Sequence, residues 1–154
     1  MKRILIFGNS GSGKSTLAGR LSAEHGIAHL DLDTVGWACA GVRKPFDESV
    51  QEIKAFFFKH SGWVVEGCYG SLLEVVAGHC SEIIFLNPGI ETCLRHNLLR
   101  PWEPHKYDSK EAQDKNLDLL QNWVKEYEIR QDEYSLQQHR VIFEAFTGPK
   151  QERN

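Results

Sequence analysis

The chain has 154 residues, of which 41% are hydrophobic and 25% are charged, as is ordinary for a globular protein. We therefore treat residues 1–154 as one domain with its own core. The net charge of −3 gives no broad basic surface, so we expect neither nucleic acid nor a membrane among its partners. Any anionic ligand must then be held by local basic groups.

The four cysteines, at positions 39, 68, 80 and 93, form no C-x-x-C pair, and this spacing disfavours a zinc site. Met1-Lys2-Arg3 leads directly into a short apolar strand rather than into the longer apolar run of a secretory signal. We therefore expect a cytoplasmic protein with free thiols.

A glycine-rich stretch from Gly8 to Ser15 matches the P-loop pattern G-x-x-x-x-G-K-[ST] at every fixed position. The apolar run Arg3–Phe7 predicts a strand before it, and Ser15–Leu21 predicts a helix after it. This is the strand, loop and helix context that the motif requires. A chance glycine-serine turn is the alternative interpretation.

Phosphate binding explains the residue types in this stretch. Backbone N–H groups must curl around phosphate oxygens, which excludes side chains at Gly8 and Gly13. The helix N-terminus favours anions, Lys14 can reach the β- and γ-phosphates, and the Ser15 hydroxyl can ligate Mg²⁺. The sequence therefore predicts ATP and Mg²⁺ as cofactors. The predicted nucleotide-binding residues are Gly8, Asn9, Ser10, Gly11, Ser12, Gly13, Lys14, Ser15 and Thr16.

Two carboxylates, Asp31 and Asp33, follow the short second strand Ile27–Leu30. Residues two apart on an extended segment point to the same side, and ligands of α/β sheets bind at the carboxyl ends of strands. We expect one carboxylate to help hold Mg²⁺ and the other to orient or deprotonate an acceptor hydroxyl. Turn formation or helix capping by aspartate is the alternative.

Residues 33–36 also spell DxxG, a GTPase signal, but the chain has no N-K-x-D base-reading motif. The following connection, Thr34–Pro45, is glycine-rich and carries Trp37 and Arg43. It is either part of an acceptor pocket or a solvated loop with one packed tryptophan. A helix is predicted over Asp47–His60 from the spacing of its apolar residues.

A third strand is predicted over Gly62–Gly67, with Glu66 and Gly67 at its end. Glu66 either contacts Mg²⁺ or substrate, or belongs to a simple turn between strand and helix. A short helix over Tyr69–Gly78 and an apolar fourth strand over Ser81–Leu86 follow. The helix Ile90–Arg100 then carries two arginines.

The segment Pro101–Tyr107 has two prolines and clustered basic groups, which suggests a lid over about residues 100–110. Arg95 or Arg100 would neutralise charge on a transferring phosphoryl group. Their five-residue spacing places them on different helix faces, and either is alternatively a solvated arginine.

The rest of the chain predicts a long helix over Lys110–Gln138 with an apolar stripe. Arg130 lies near this stripe and is a second candidate for phosphate contact, or it extends to solvent at the helix edge. A fifth strand is predicted over His139–Phe143, and the tail Lys150–Asn154 is predicted to fray.

These residues resemble the small P-loop kinases, the group of adenylate and shikimate kinases. Residues 13–18 (GKSTLA) look like the start of that family's first helix, and Asp31-Leu32-Asp33 is similar to the Asp-x-Asp of shikimate kinases. Residues 63–69 (WVVEGCY) and 33–37 (DTVGW) look closer to the uncharacterised adenylate-kinase-related, topology-modulation branch. The chain has only Glu66-Gly67 where shikimate kinases carry a glycine triplet.

The resemblance implies an α/β P-loop NTPase fold with a five-stranded parallel sheet of order 2-3-1-4-5 and helices on both faces. It also implies an acceptor-binding insert over about residues 34–62 and an adenine-facing loop near residues 147–149. We expect an ATP-dependent kinase for a small nucleotide, nucleoside or hydroxy acid, present as a monomer or homodimer. A nucleotide-binding regulatory module without phosphotransfer is the alternative. The expected catalytic residues are Lys14, Asp33, Arg95, Arg100 and Arg130, and the expected metal ligands are Ser15 and Asp31.

Overall fold

The computed structural model describes residues 1–39 and 42–154 and shows an α/β protein with a five-stranded parallel sheet. In chain order the elements are β1 (Arg3–Gly8), α1 (Lys14–His25), β2 (Ala28–Asp31), α2 (Asp33–Gly36), β3 (Trp37–Cys39), β4 (Val42–Arg43), α3 (Phe46–Lys59), β5 (Trp63–Gly67), α4 (Gly70–Ala77), β6 (Glu82–Leu86), α5 (Ile90–Leu98), α6 (Lys110–Lys125), α7 (Leu136–Ala145) and β7 (Lys150–Arg153). The sheet order is β2-β5-β1-β6-β7, and β3 and β4 form a separate antiparallel hairpin.

The sheet lies between two layers of helices, as the alternation along β1 shows. Leu5 and Phe7 belong to a hydrophobic cluster with residues of α3, α4 and α7, whereas Ile4 and Ile6 pack with α1. Successive side chains of a strand point to opposite faces, so β1, which is buried from Ile4 onward, supplies both cores. The parallel register brings the carboxyl ends of β1, β2 and β5 to the same end of the sheet. There Asp31 of β2 lies opposite Glu66 of β5 in the strand register.

The C-terminal third differs from the sequence prediction. The predicted strand His139–Phe143 is wrong, because these residues lie in α7. The predicted helix Lys110–Gln138 is also wrong in extent, because α6 ends at Lys125. Ser135 caps α7 by accepting the N–H of Gln138, and the buried His139 and Ile142 have helical spacing.

The fifth strand of the sheet is instead β7, at the residues predicted to fray. It pairs in parallel with β6, and Glu152 of β7 forms an ion pair with Arg140 of α7. This partly exposed edge strand has no apolar alternation that a sequence pattern could detect. In the described part of the chain, no helix is both long enough and apolar enough to cross a membrane.

Candidate active site

The P-loop is a tightly packed connection between β1 and α1. A Cβ at Gly8 would lie 2.3 Å from the Leu86 carbonyl oxygen, and one at Gly11 would lie 2.3 Å from the Cys93 carbonyl oxygen. Gly11 also has a φ of +82°, which L side chains rarely adopt. The loop is therefore pressed against β6 and α5, and no larger residue fits at these two positions.

The N-terminus of α1 opens into solvent-accessible space. The first backbone N–H with a helical acceptor is that of Leu17, which donates to Gly13 O at 3.1 Å, so the N–H groups of residues 14–16 precede the first helical bond. The Lys14 ammonium donates to Asn9 O at 2.8 Å, within the loop itself. The Ser12 hydroxyl is buried and has no hydrogen-bond partner among the described residues.

These features fit a bound phosphate chain. Unpaired N–H groups at a helix N-terminus, an adjacent ammonium and an unsatisfied hydroxyl are donors that phosphate oxygens would satisfy. A Cβ at Gly13 would meet no atom within 4 Å, so the space above the loop is open.

A cleft of about 710 Å³ extends from the P-loop across the carboxyl ends of the strands. It is lined by Ser10, Gly11, Ser12, Gly13, Lys14, Ser15, Thr16, Leu17, Arg20, Asp31, Asp33, Glu66, Gly67, Cys68, Leu86, His96, Leu99, Arg100, Pro101, Glu103, Lys106 and Arg153. Both predicted aspartates and most of the predicted nucleotide-binding residues thus face one space. Gly8 and the buried Asn9 lie behind it and support the loop.

The two aspartates lie on different elements. Asp31 is the last residue of β2, and Asp33 is the first residue of the short helix α2. The Asp33 N–H donates to Asp31 Oδ1 at 2.9 Å. Asp31 therefore forms a turn, as predicted in the alternative interpretation, and it also lines the cleft.

Both carboxylate oxygens of Asp33 are engaged. The Tyr69 hydroxyl donates to Oδ1, and the Lys106 ammonium lies 2.6 Å from Oδ2. Tyr69 is held in turn by the Trp37 indole N–H, which donates to its oxygen at 2.8 Å. Burial raises the pKa of Asp33, but the charge and hydrogen bond of Lys106 and the bond from Tyr69 outweigh it, so the pKa is lowered.

Asp31 has the opposite electrostatic environment. Burial and the negative charges of Asp33 and Glu66 raise its pKa, and Lys106, with its Nζ 3.6 Å from Asp31 Oδ2, offsets only part of this. His105 Nε2 lies 3.6 Å from the same oxygen. A carboxylate in a negative environment with few donors is a favourable position for an arriving cation.

Glu66, at the end of β5, is almost wholly buried and accepts a hydrogen bond from His29 at 3.1 Å. Burial raises its pKa, but the bond from His29, the charge of Lys14 and the Ser15 hydroxyl outweigh it, so the pKa is lowered. Glu66 is therefore an ionised group beside the P-loop serine.

Mg²⁺ in nucleotide sites is usually held by one or two carboxylates together with phosphate oxygens and waters. Ser15, Asp31 and Glu66 carry oxygen ligands of this type and line the same cleft. Across residues 1–39 and 42–154, no group of three or more His, Cys, Asp or Glu side chains is close enough to hold a metal by itself.

The three predicted arginines are not brought together. Arg100 lines the cleft, 3.3 Å from Glu103 Oε1. Arg95 is exposed on α5 and donates to Thr92 Oγ1, one turn earlier in the same helix. Arg130 lies over the Trp123 ring at 4.1 Å and donates to the carbonyl oxygens of Trp123 and Tyr134, away from the cleft-lining residues.

The predicted acceptor-pocket residues of the hairpin support the site from behind. The Arg43 guanidinium lies 4.7 Å from the Tyr69 ring centre and 5.7 Å from that of Trp37. Neither Arg43 nor Trp37 lines the cleft, and their contacts instead fix Tyr69, which holds Asp33.

Lys106 lines the cleft although it was not predicted from the sequence as a site residue. The predicted lid contains it, but only the arginines near that segment were proposed to act. Its signal was the basic pair His105-Lys106 between two acidic residues, Glu103 and Asp108. Arg153, in β7, also lines the cleft and was hidden by the prediction of a frayed tail.

No protein-family model matches the chain, and no curated protein matches it. Among solved structures, it is similar to an uncharacterized protein from Eubacterium ventriosum ATCC 27560, with 19% sequence identity and a TM-score of 0.47. The match covers 80% of this chain and 77% of that chain. At this level of similarity, the match supports no conclusion about function.

Proposed function

We propose that this protein is an ATP-dependent kinase that transfers a phosphoryl group to the hydroxyl of a small molecule. The observation that carries the proposal is the single cleft that joins the P-loop residues Lys14 and Ser15 to the ionised Asp33. A P-loop supplies a site for the phosphate donor, and a nearby ionised carboxylate supplies a base for the acceptor hydroxyl.

The roles follow from the positions. Lys14 and the N–H groups at the start of α1 would hold the phosphates, and Ser15 and Asp31 would hold Mg²⁺, which neutralises phosphate charge when bound. Asp33 would accept the hydrogen bond of the acceptor hydroxyl, orient its oxygen and take its proton. Arg100 lies on the same cleft and is the predicted arginine best placed to balance negative charge.

The same proposal includes the P-loop NTPase assignment for the domain. If the sheet strands are numbered one to five along the chain, the observed order becomes 2-3-1-4-5, which supports the assignment. Within it, residues 34–62 would support the acceptor side from behind, and residues 100–110 would form the lid. We propose a cytoplasmic enzyme whose partners are small molecules rather than nucleic acid or membrane.

A regulatory nucleotide-binding module is the second candidate. The observation that favours it is the ion pair between Lys106 and Asp33, which occupies the proposed base. In such a module the cleft would bind nucleotide without passing the phosphoryl group on.

The test is to incubate the protein with ATP, Mg²⁺ and a panel of nucleosides, nucleotides and hydroxy acids, and to measure ADP. ADP formation that depends on one acceptor, and that is lost in Lys14→Ala, is the expected result. Tight ATP binding without any acceptor dependence would favour the regulatory module. Absence of ATP binding would overturn both candidates.

A further inference from the structure

The segment between α5 and α6 contains a tight turn that carries Lys106 into the cleft. The backbone N–H groups of Lys106 and Tyr107 both donate to Glu103 O, at 2.9 and 3.0 Å. The Glu103 N–H donates in turn to Gln113 Oε1 of α6 at 2.9 Å, and Asn116 of α6 donates to the Tyr107 hydroxyl at 2.8 Å. The turn is therefore attached to α6, and the Lys106 side chain extends from it toward β2 and α2.

The Lys106 ammonium lies among three carboxylates. Its Nζ is 2.6 Å from Asp33 Oδ2, 3.3 Å from Glu103 Oε2 and 3.6 Å from Asp31 Oδ2, and its side chain is only 19% exposed. A side chain that is mostly buried among carboxylates is strongly favoured in its positively charged form.

The contact with Asp33 conflicts with acceptor binding. The Tyr69 hydroxyl already donates to Asp33 Oδ1, so Oδ2 is the oxygen that an acceptor hydroxyl would approach, and Lys106 covers it. We propose that Lys106 is a gate of the acceptor subsite, a tethered cation that covers the base until an acceptor displaces it. This inference rests on the proposed kinase function, because it assigns Asp33 as the base.

Opening the gate requires movement of a side chain rather than refolding. A lysine has a flexible four-carbon stem, so the ammonium can leave Asp33 while the turn stays on α6. Its departure would leave Asp31, Asp33 and Glu103 without their shared cation, which is unfavourable in a partly buried cluster. An acceptor hydroxyl that donates to Asp33 Oδ2 replaces the hydrogen bond of Lys106, so acceptor binding lowers the free energy needed to release the ammonium.

One physical consequence is that a covered Asp33 cannot orient water. The gate would therefore suppress transfer of the phosphoryl group to water when no acceptor is present. It would act as a specificity device, since only a ligand that replaces the Lys106 contact gains access to Asp33.

The first test measures the contact without any turnover. Only the unprotonated amine reacts with N-hydroxysuccinimide acetate. The Lys106 Nζ lies 2.6 Å from Asp33 Oδ2, and its side chain is only 19% exposed, so the reagent has little access to this nitrogen. Mass spectrometry should show Lys106 acetylated several times more slowly than Lys110, whose side chain is 58% exposed.

Asp33→Asn should raise the acetylation rate of Lys106 severalfold and leave that of Lys110 unchanged. Equal rates at the two lysines in the wild type, or a Lys106 rate that does not respond to Asp33→Asn, would overturn the gate.

The second test measures ADP release from ATP and Mg²⁺ without acceptor. Lys106→Met should raise it severalfold, whereas Lys106→Arg, which keeps the cation, should stay near wild type. Lys110→Met is the matched control, because Lys110 lies close by in the chain and its ion pair is with Asp114 of the same helix. An unchanged or lower rate in Lys106→Met, with ATP binding intact, would contradict the gate. The kinase proposal itself fails if the acceptor panel gives no acceptor-dependent ADP formation, and the acetylation rates then decide the position of Lys106 by themselves.

Discussion

The two halves of the cleft are built in different ways. The proposed phosphate-binding half is shaped mainly by backbone, with Gly8 and Gly11 pressed against carbonyl groups of β6 and α5. The proposed acceptor half is shaped by ionisable side chains from separate elements, among them Asp33 of α2 and Lys106 of the turn before α6. The first half keeps its shape through packing, whereas the second keeps it through charge.

This difference has consequences for stability and for pH. A packed backbone loop is sensitive to added volume and insensitive to ionisation. A carboxylate cluster is sensitive to every change of charge, because each group sets the pKa of its neighbours. Mutations in the two halves should therefore impair the protein in different ways.

The largest expected effect is the loss of Lys14. Lys14→Ala removes the only side-chain cation supplied by the phosphate-binding loop, and we expect transfer to fall by about 10³-fold. The melting temperature should change little, because the hydrogen bond that the Lys14 ammonium donates goes to Asn9 O within the loop itself. Kinetics and a thermal melt check the two parts. Near-normal turnover would contradict the assigned role of the loop.

Asp33→Asn tests the half of the cleft that is held by charge. We expect transfer to fall by about 10²-fold because the amide cannot take a proton, while ATP binding remains. ATP affinity by calorimetry and acceptor-dependent ADP formation separate the two. Asp118→Asn, at an exposed position on α6, is the matched control and should leave both unchanged.

The half of the cleft that is built from a local motif could be predicted from the sequence. The strand β1, the P-loop and α1 were predicted because a local motif dictates them, with glycines wherever the backbone approaches another chain segment. Asp31 and Asp33 were predicted because they follow a strand whose carboxyl end faces the same edge.

The acceptor half could be predicted only in part. Lys106 reaches Asp33 through tertiary folding, and no spacing in the sequence links them. The errors at the C-terminus have a similar cause. His139–Phe143 has the apolar composition of a strand but packs as a helix, whereas Lys150–Arg153 has a polar composition and is held by pairing with β6. In both places tertiary contacts override local preference.

A third prediction concerns pH and the support of the acceptor half. His139 is fully buried, and its Nε2 donates to Cys68 O, just after β5, so its Nδ1 accepts from the Tyr127 hydroxyl. Burial lowers the pKa of His139 to about 4 from its ordinary 6.5. The folded state therefore binds this proton less readily than the unfolded state.

The contribution of His139 to stability is present above pH 6.5 and is lost as the pH falls toward 4, by up to about 3 kcal/mol. Urea unfolding of wild type and His139→Gln across this range measures it. The variant should lose less stability on acidification, and parallel curves would show that His139 does not titrate as expected.

The smallest expected effect tests the phosphate-binding half with a matched pair of glycines. Gly11→Ala places a Cβ against the Cys93 carbonyl at φ +82°, and we expect it to lower the free energy of unfolding by about 2 kcal/mol and to weaken ATP binding. Gly19→Ala lies in α1, where a Cβ would meet no atom within 4 Å, and it should raise stability by about 0.5–1 kcal/mol. Opposite signs in urea unfolding would show that packing shapes the loop. Equal effects would mean that the loop yields to an added methyl group, and the contrast with the charge-held half would then disappear.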